Sequence, residues 1–345
     1  MKYPIEKIRR FTEAILERSG MSKEDAAVCI DCLLTADIRG VHSHGMIHLK
    51  DIVDRISCGT IDPCANVEIR QTAPAVIQVD GHHCAGMVSG MKAMERCVEL
   101  ARSSGVALAS IRNANTYGLG AHYPLYAVQN GMIGFAICNT KAYVAPWGGT
   151  DPMLGTNPIS VALPAQNYPP FVLDMATSQS AVNKIALAMK EGRQIPEDWA
   201  VGPDGQRTTD PATAYKGALL PFGGYKGYAL QLLISVLAFA LAGGDMDKDI
   251  PKAWADKDQI CNFGCLMGAI DISKFLPLEE FKRKVDACFY AVKSVRATDW
   301  SDGIRIPGEN AQANIQRALI EGVEISDVIM EELQKLGAIH HIELT

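Results

Sequence analysis

The sequence predicts a mixed α/β fold in which a helical layer drawn from both chain ends flanks a central β-rich lobe. Helix-period apolar spacing fills residues 5–59, short alternating runs dominate the middle from about 65 to 225, and helical patterns return afterwards. At 345 residues the chain exceeds one typical domain and is short for three, so two lobes are expected. No G-x-G-x-x-G turn joins a strand to a helix, which argues against a Rossmann dinucleotide fold. The nearest approach is Gly118-Leu119-Gly120, where Tyr123 stands in the third glycine's place.

Taken in order, residues 5–19 and 22–39 read as two helices, the second opened by Ser22 and Asp25 as a capping pair. A third helix is expected between Gly45 and Gly59. Val67–Arg70 and Ala75–Val79 alternate around a Thr-Ala-Pro turn and predict a hairpin. A helix at 85–103 leads to an apolar run, Val106–Ile111, and further strands are expected at Met132–Cys138, Ile159–Leu163 and Phe171–Met175. Tyr228–Ala242, interrupted by Gln231 and Ser235, is too short to span a bilayer and predicts a buried helix stopped by Gly243-Gly244. A strand at Leu266–Ile272, a helix near 278–295 and two terminal helices complete the order.

Composition narrows the function. With 48% hydrophobic and 21% charged residues the chain is an ordinary globular protein, and its net charge of −6 with dispersed Lys and Arg argues against nucleic acid as a partner. The start lacks the apolar run of a secretory signal, so a cytoplasmic location and no membrane are expected. The ten cysteines then read as reduced thiols, most of them buried, as at Cys97, Cys138 and Cys288. Cys29 and Cys32 have C-x-x-C spacing but fall on an amphipathic helix, where core packing explains them.

Three segments carry chemistry. Gly223-Gly224-Tyr225-Lys226-Gly227 opens a helix, and a lysine beside free helix N–H groups suits an anion. Arg39 to His48 is the densest polar cluster, with His42, Ser43, His44 and His48 between two predicted helices. A histidine there suits acid–base work, and a serine hydroxyl beside it can polarise a substrate oxygen. His44 and His48 share a spacing that zinc also uses, but no H-E-x-x-H pattern or further ligand set accompanies them, so no metal is expected. Asp174-Met175-Ala176-Thr177-Ser178 ends a strand with small residues that admit a ligand to the backbone, and Ser178 is placed to cap the helix that follows. Gly155-Thr156-Asn157-Pro158 by itself is turn chemistry.

The ordered set ADIRGVHSHG, NANTYGLGAHY, APWGG, GTNPISVALP, DMATS, GGYKGYAL and IRIPGEN, spanning about 36 to 310, resembles the malate/L-lactate dehydrogenase family. That family also contains ureidoglycolate, sulfolactate and diketogulonate oxidoreductases. The stretch 195–211 is particularly similar to the ureidoglycolate branch. The resemblance implies a non-Rossmann mixed-sheet cofactor domain, taken as 65–227, and a discontinuous helical domain, taken as 1–64 and 228–345. It implies a homodimer, and NAD as cofactor with NADP as the alternative.

Carried over by motif, His44 is the proton donor and acceptor and Ser43 its hydrogen-bonding neighbour. Thr156 is a substrate contact. Thr140, Asp174, Met175, Ala176, Tyr225, Lys226, Gly308, Glu309 and Asn310 are cofactor contacts. The implied reaction interconverts a 2-oxo acid and a 2-hydroxy acid. Two departures stand out. His48 occupies the place of an arginine that grips the substrate carboxylate, and Thr116 the place of the histidine base of ureidoglycolate enzymes. Lys141, aided by protonated His48, is expected to supply the missing charge. The rival readings are reduction of a cyclic imino acid and a dinucleotide-binding dimer without turnover.

Overall fold

The computed structural model describes residues 1–344 except Trp254. Helices α1 (Ile5–Arg18), α2 (Lys23–Ile38) and α3 (Leu49–Ser57) form the N-terminal layer. Each turns a stripe inward: Ile8, Phe11, Ile15 and Leu16 from α1, and Ala26, Cys29, Ile30, Leu33 and Leu34 from α2. Ser22 caps α2 as expected, its hydroxyl accepting from Asp25 N–H at 3.1 Å.

The seven-stranded sheet comprises β1 (Glu68–Ala73), β2 (Val76–Asp80), β3 (Val106–Ala114), β4 (Met132–Cys138), β5 (Ile159–Leu163), β6 (Phe171–Met175) and β7 (Phe263–Asp271). Their order across the sheet is β1-β2-β3-β7-β4-β5-β6. Only β2 and β3 pair in parallel; every other neighbouring pair is antiparallel. The sheet is therefore mixed. Strand β7, anticipated from 266–272, pairs with both β3 and β4 at the centre of the sheet. The division expected at 227/228 assigns β7 to the helical part, whereas its pairing makes it part of the sheet. Helices α4 (Gly86–Ser104) and α5 (His122–Gln129) pack against these strands.

A four-stranded sheet of short strands (200–201, 218–219, 142–144 and 154–155, in that order) lies beyond β4 with α6 (Val182–Glu191) and α7 (Pro211–Lys216). Then come α8 (Tyr225–Val236), α9 (Leu278–Lys293), α10 (Glu309–Glu321) and α11 (Asp327–Ile339). Lys2–Tyr3 pairs antiparallel with Val323–Glu324, and Met330, Leu333 and Leu336 of α11 join the core of α1 and α2. Both chain ends thus share one apolar core.

Four expectations are corrected. The 228–242 helix starts at Tyr225, passes into a π-helical turn at Leu237–Leu241, and is not buried. Gln231, Ile234, Ser235 and Ala238 face inward, whereas Leu232, Leu233, Val236, Phe239 and Leu241 have no layer over them in the single chain. Residues 45–48 make 3₁₀ turns, not the start of α3, because the backbone there is diverted to Asp37. Ser178 does not cap α6; its hydroxyl donates to the Ser180 carbonyl, and the helix begins only at Val182. Cys288 is exposed, while Cys97 and Cys138 are buried as expected.

Arg55 ties the N-terminal layer to the 253–259 loop. It is fully buried and donates to the carbonyls of Ala253 (2.7 Å), Asp256 (3.0 Å) and Gln259 (2.9 Å). Arg55→Met leaves three carbonyls short of a donor and is expected to destabilise the fold by about 3 kcal/mol or more in urea denaturation. A loss below about 1 kcal/mol contradicts this role.

Candidate functional site

The turn between α2 and α3 is built on Asp37. This buried carboxylate holds His42 Nδ1 at 2.9 Å with one oxygen and accepts from Met46 N–H at 2.8 Å with the other. Burial pushes its pKa up, against the lowering pull of Met46 N–H and His42. A Cβ on Gly45 would lie 2.2 Å from the Asp37 carboxyl carbon, so only glycine lets the turn pass this close.

Ser43 and His44 are brought together, Oγ to Nδ1 at 3.0 Å. The His44 ring is open to water on one side and crowded by protein on the others. That crowding first, and the charge of His48 second, lower its pKa from 6.5 to about 4. His44 is therefore neutral at pH 7. His48 stands with its ring centroid 6.5 Å away. Its Nδ1 meets Asp51 at 3.1 Å and its Nε2 meets the Ser43 carbonyl at 2.8 Å. His48 therefore braces the turn.

Several of the residues expected from sequence to meet cofactor or substrate are tied into a second framework. Thr140 and Thr156 hydroxyls lie 3.2 Å apart, and Thr156 N–H donates to Thr140 Oγ1 at 2.8 Å. Thr177 N–H donates to the Thr156 carbonyl (2.8 Å), and Phe222 N–H to the Thr177 carbonyl (3.1 Å). These bonds bring 174–177 and the 223–226 loop to the same place. Gly223 and Gly224 both have positive φ, and α8 opens at Tyr225 with no side-chain cap, leaving N–H groups beside Lys226. Val172 N–H donates to the Pro307 carbonyl (3.0 Å), which seats Gly308, Glu309 and Asn310 at the edge of β6. Glu309 accepts from Ile306 N–H and Lys293, and Asn310 from Arg305.

Sequence reasoning missed the residue that holds this framework. Asp247 is fully buried and accepts from Asn139 (3.0 Å), Ser235 (2.8 Å), Gly155 N–H (2.8 Å) and Asn157 (2.8 Å). Asn157, at φ 29°, passes the order on by accepting from Thr140 N–H at 3.0 Å. Gln231 donates to the Gly155 carbonyl at 2.7 Å. The visible signal was the pair Gln231 and Ser235, two polar residues one helical turn apart in an apolar helix.

Asp174 lies on the open side of β6. The protein behind it raises its pKa, against hydrogen bonds from Ser160 and Ala121 N–H (3.0 Å) and the charge of Arg39. A Cβ on Gly120 would strike both Ser160 and Asp174, so the Gly118-Leu119-Gly120 segment serves close packing here. Met175 is half-buried and Ala176 exposed. Lys141 is turned elsewhere: its Nζ donates to the Lys248 carbonyl at 3.0 Å. Thr116 N–H donates to its neighbour Asn115. Among the described residues, no three His, Cys, Asp or Glu side chains are grouped to hold a metal ion.

The family model described as malate/L-lactate dehydrogenase matches residues 3–334. The malate/(S)-sulfolactate dehydrogenase of Methanothermus fervidus is 38% identical over 331 residues, covering 96% of each chain. The ureidoglycolate dehydrogenase (NAD(+)) of Escherichia coli K12 is 30% identical over 333 residues, 96% of this chain and 95% of that one. Among solved structures, sulfolactate dehydrogenase from Methanocaldococcus jannaschii superposes with a TM-score of 0.94 at 35% identity, covering 100% of this chain and 98% of that one. The relatives include enzymes named for NAD(+) and for NADP(+).

Two measurements test the turn. Gly45→Ala must displace Asp37 or the turn itself; it is expected to lower stability by about 1–3 kcal/mol and to disorder the Ser43–His44 pair. A variant with unchanged melting temperature and unchanged His44 NMR shifts contradicts the clamp. For His44 the folded pKa lies below the unfolded value, so between 6.5 and about 4 the unfolded chain binds the extra proton. Stability is then expected to fall as pH drops through that window, less steeply in His44→Gln. A His44 ring that titrates at or above 6.5 by NMR overturns the assignment.

Proposed function

The chain belongs to the malate/L-lactate dehydrogenase family and is an NAD(P)-dependent oxidoreductase of 2-hydroxy acids, and we propose that His44 is its proton donor and acceptor. The observation that carries the reading is the Ser43–His44 pair, 3.0 Å apart and carrying a neutral ring. If Nδ1–H donates to Ser43 Oγ, the Nε2 lone pair is left to accept a substrate hydroxyl proton. Ser43's own hydrogen then serves the same oxygen. In the reducing direction a proton taken up at Nε2 passes to the forming alkoxide, and Ser43 stabilises that charge.

The residues present suit a dinucleotide. Lys226 and the uncapped start of α8 offer donors to an anion, and Thr140 and Thr156 add hydroxyls held by Asp247. Met175 and Ala176 leave room at the strand end. Tyr225, Gly308, Glu309 and Asn310 belong to the same proposed cofactor site. The chemistry the dinucleotide supplies when bound is hydride transfer at its nicotinamide. The substrate we propose is a small 2-oxo or 2-hydroxy acid.

We also propose a cytoplasmic homodimer. Support comes from the unbonded state of all ten cysteines and from the bare apolar face of Leu232, Leu233, Val236 and Leu241.

His44→Ala is expected to lower turnover by ~10²–10⁴-fold with little change in NADH affinity. A panel of 2-oxo acids, piperideine-2-carboxylate and pyrroline-2-carboxylate, followed by NADH and NADPH absorbance, reads the substrate class. Turnover of the cyclic imines alone overturns the hydroxy-acid reading. Near-normal turnover in His44→Ala overturns the role of His44.

A further inference from the structure

We propose that Arg39 is an oxyanion-binding residue, gripping either the acid group of the substrate or a phosphate of the dinucleotide. Its side chain is only 8% exposed, yet its guanidinium makes no hydrogen bond or ion pair with any described residue. Arg55 shows what a buried structural arginine does in this fold: every nitrogen of its head group reaches an oxygen. The guanidinium nitrogens are not sealed from solvent, and the protein charge that acts on them, Asp174, reaches them through no hydrogen bond or ion pair. The fork is therefore free to take a partner from solution.

Position indicates what that partner is. Arg39 ends α2, two residues after Asp37 and five before His44. Its carbonyl accepts from Asn314 of α10 at 3.0 Å, so it lies beside the helix that begins at Glu309. The start of α10 is seated on β6 at Val172, two residues before Asp174. Asp174 feels the charge of Arg39 but gives its oxygens to Ser160 and Ala121 N–H. Arg39 thus stands between the reactive histidine and the expected cofactor strand, with its N–H fork uncommitted. A planar fork matches a carboxylate, sulfonate or phosphate. The two groups expected from sequence to meet the substrate's charge are engaged elsewhere, Lys141 by Lys248 and His48 by Asp51 and Ser43.

The acid-group alternative rests on the proposed function; the phosphate alternative needs only dinucleotide binding. The test uses the full-length protein with Arg39→Gln and Arg39→Lys. Calorimetry measures NADH binding to the free protein and oxalate, a 2-oxo acid mimic, binding to the NADH-loaded protein. Because nothing in the fold depends on the guanidinium, Arg39→Gln is expected to melt at or above the wild-type temperature. Oxalate affinity reduced ten-fold or more with NADH affinity within two-fold supports the proposal and identifies the substrate's acid group. NADH affinity reduced ten-fold or more supports it and identifies a phosphate. Arg39→Lys is expected to lose less than Gln in either case. Both affinities within two-fold of wild type, or an Arg39→Gln protein that does not fold, overturns the proposal. These readouts need no turnover, so failure of the substrate panel remains distinguishable from failure at Arg39.

Discussion

Asp37 is turned inward at the last turn of α2, and its two oxygens decide where the Ser43–His44 turn stands. One oxygen holds His42, the other takes the N–H of Met46, and Gly45 passes between them without a side chain. A carboxylate is seldom buried unless donors surround it. Here the donors belong to the turn itself, so turn and carboxylate order one another. The price is a raised Asp37 pKa; the return is a Ser43–His44 pair anchored to the apolar core through α2.

A second buried carboxylate plays the same part around Thr140 and Thr156. Asp247 gathers Asn139, Ser235, Gly155 and Asn157, and through them sets the Thr140–Thr156 pair. Satisfied polar networks in a low-dielectric interior are stiff, because a bond broken there finds no water to replace it. Two such networks, on segments far apart in the chain, give the site fixed walls before any ligand arrives.

Helix α10 and the segment before it link α2 to β6. Asn314 reaches the carbonyl of Arg39, and Pro307 accepts from β6. The low pKa of His44 belongs to this enclosure, since crowding and a neighbouring histidine disfavour its charged form. A neutral imidazole with its outer nitrogen available favours accepting a proton, which suits oxidation of a hydroxy acid from the resting state.

Local pattern by itself determined most of the elements, because apolar spacing and turn residues act over a few positions. Strands Met132–Cys138, Ile159–Leu163 and Phe171–Met175 appear where alternation placed them, and the Ser22 cap holds its bond. The resemblance carried by the ordered motifs brought the family. Tertiary structure alone decided the rest. The central place of β7 depends on pairing with strands more than a hundred residues earlier, which no local pattern encodes. Asp37, Asp247 and Gln231 read in sequence as ordinary polar residues, and only their burial among particular donors gives them their work. The same holds for the cations: sequence pointed to Lys141 and His48 and gave Arg39 no role. Burial and partners separate them: Arg39 is largely enclosed with its fork unbonded, whereas Lys141 and His48 each already hold a protein acceptor.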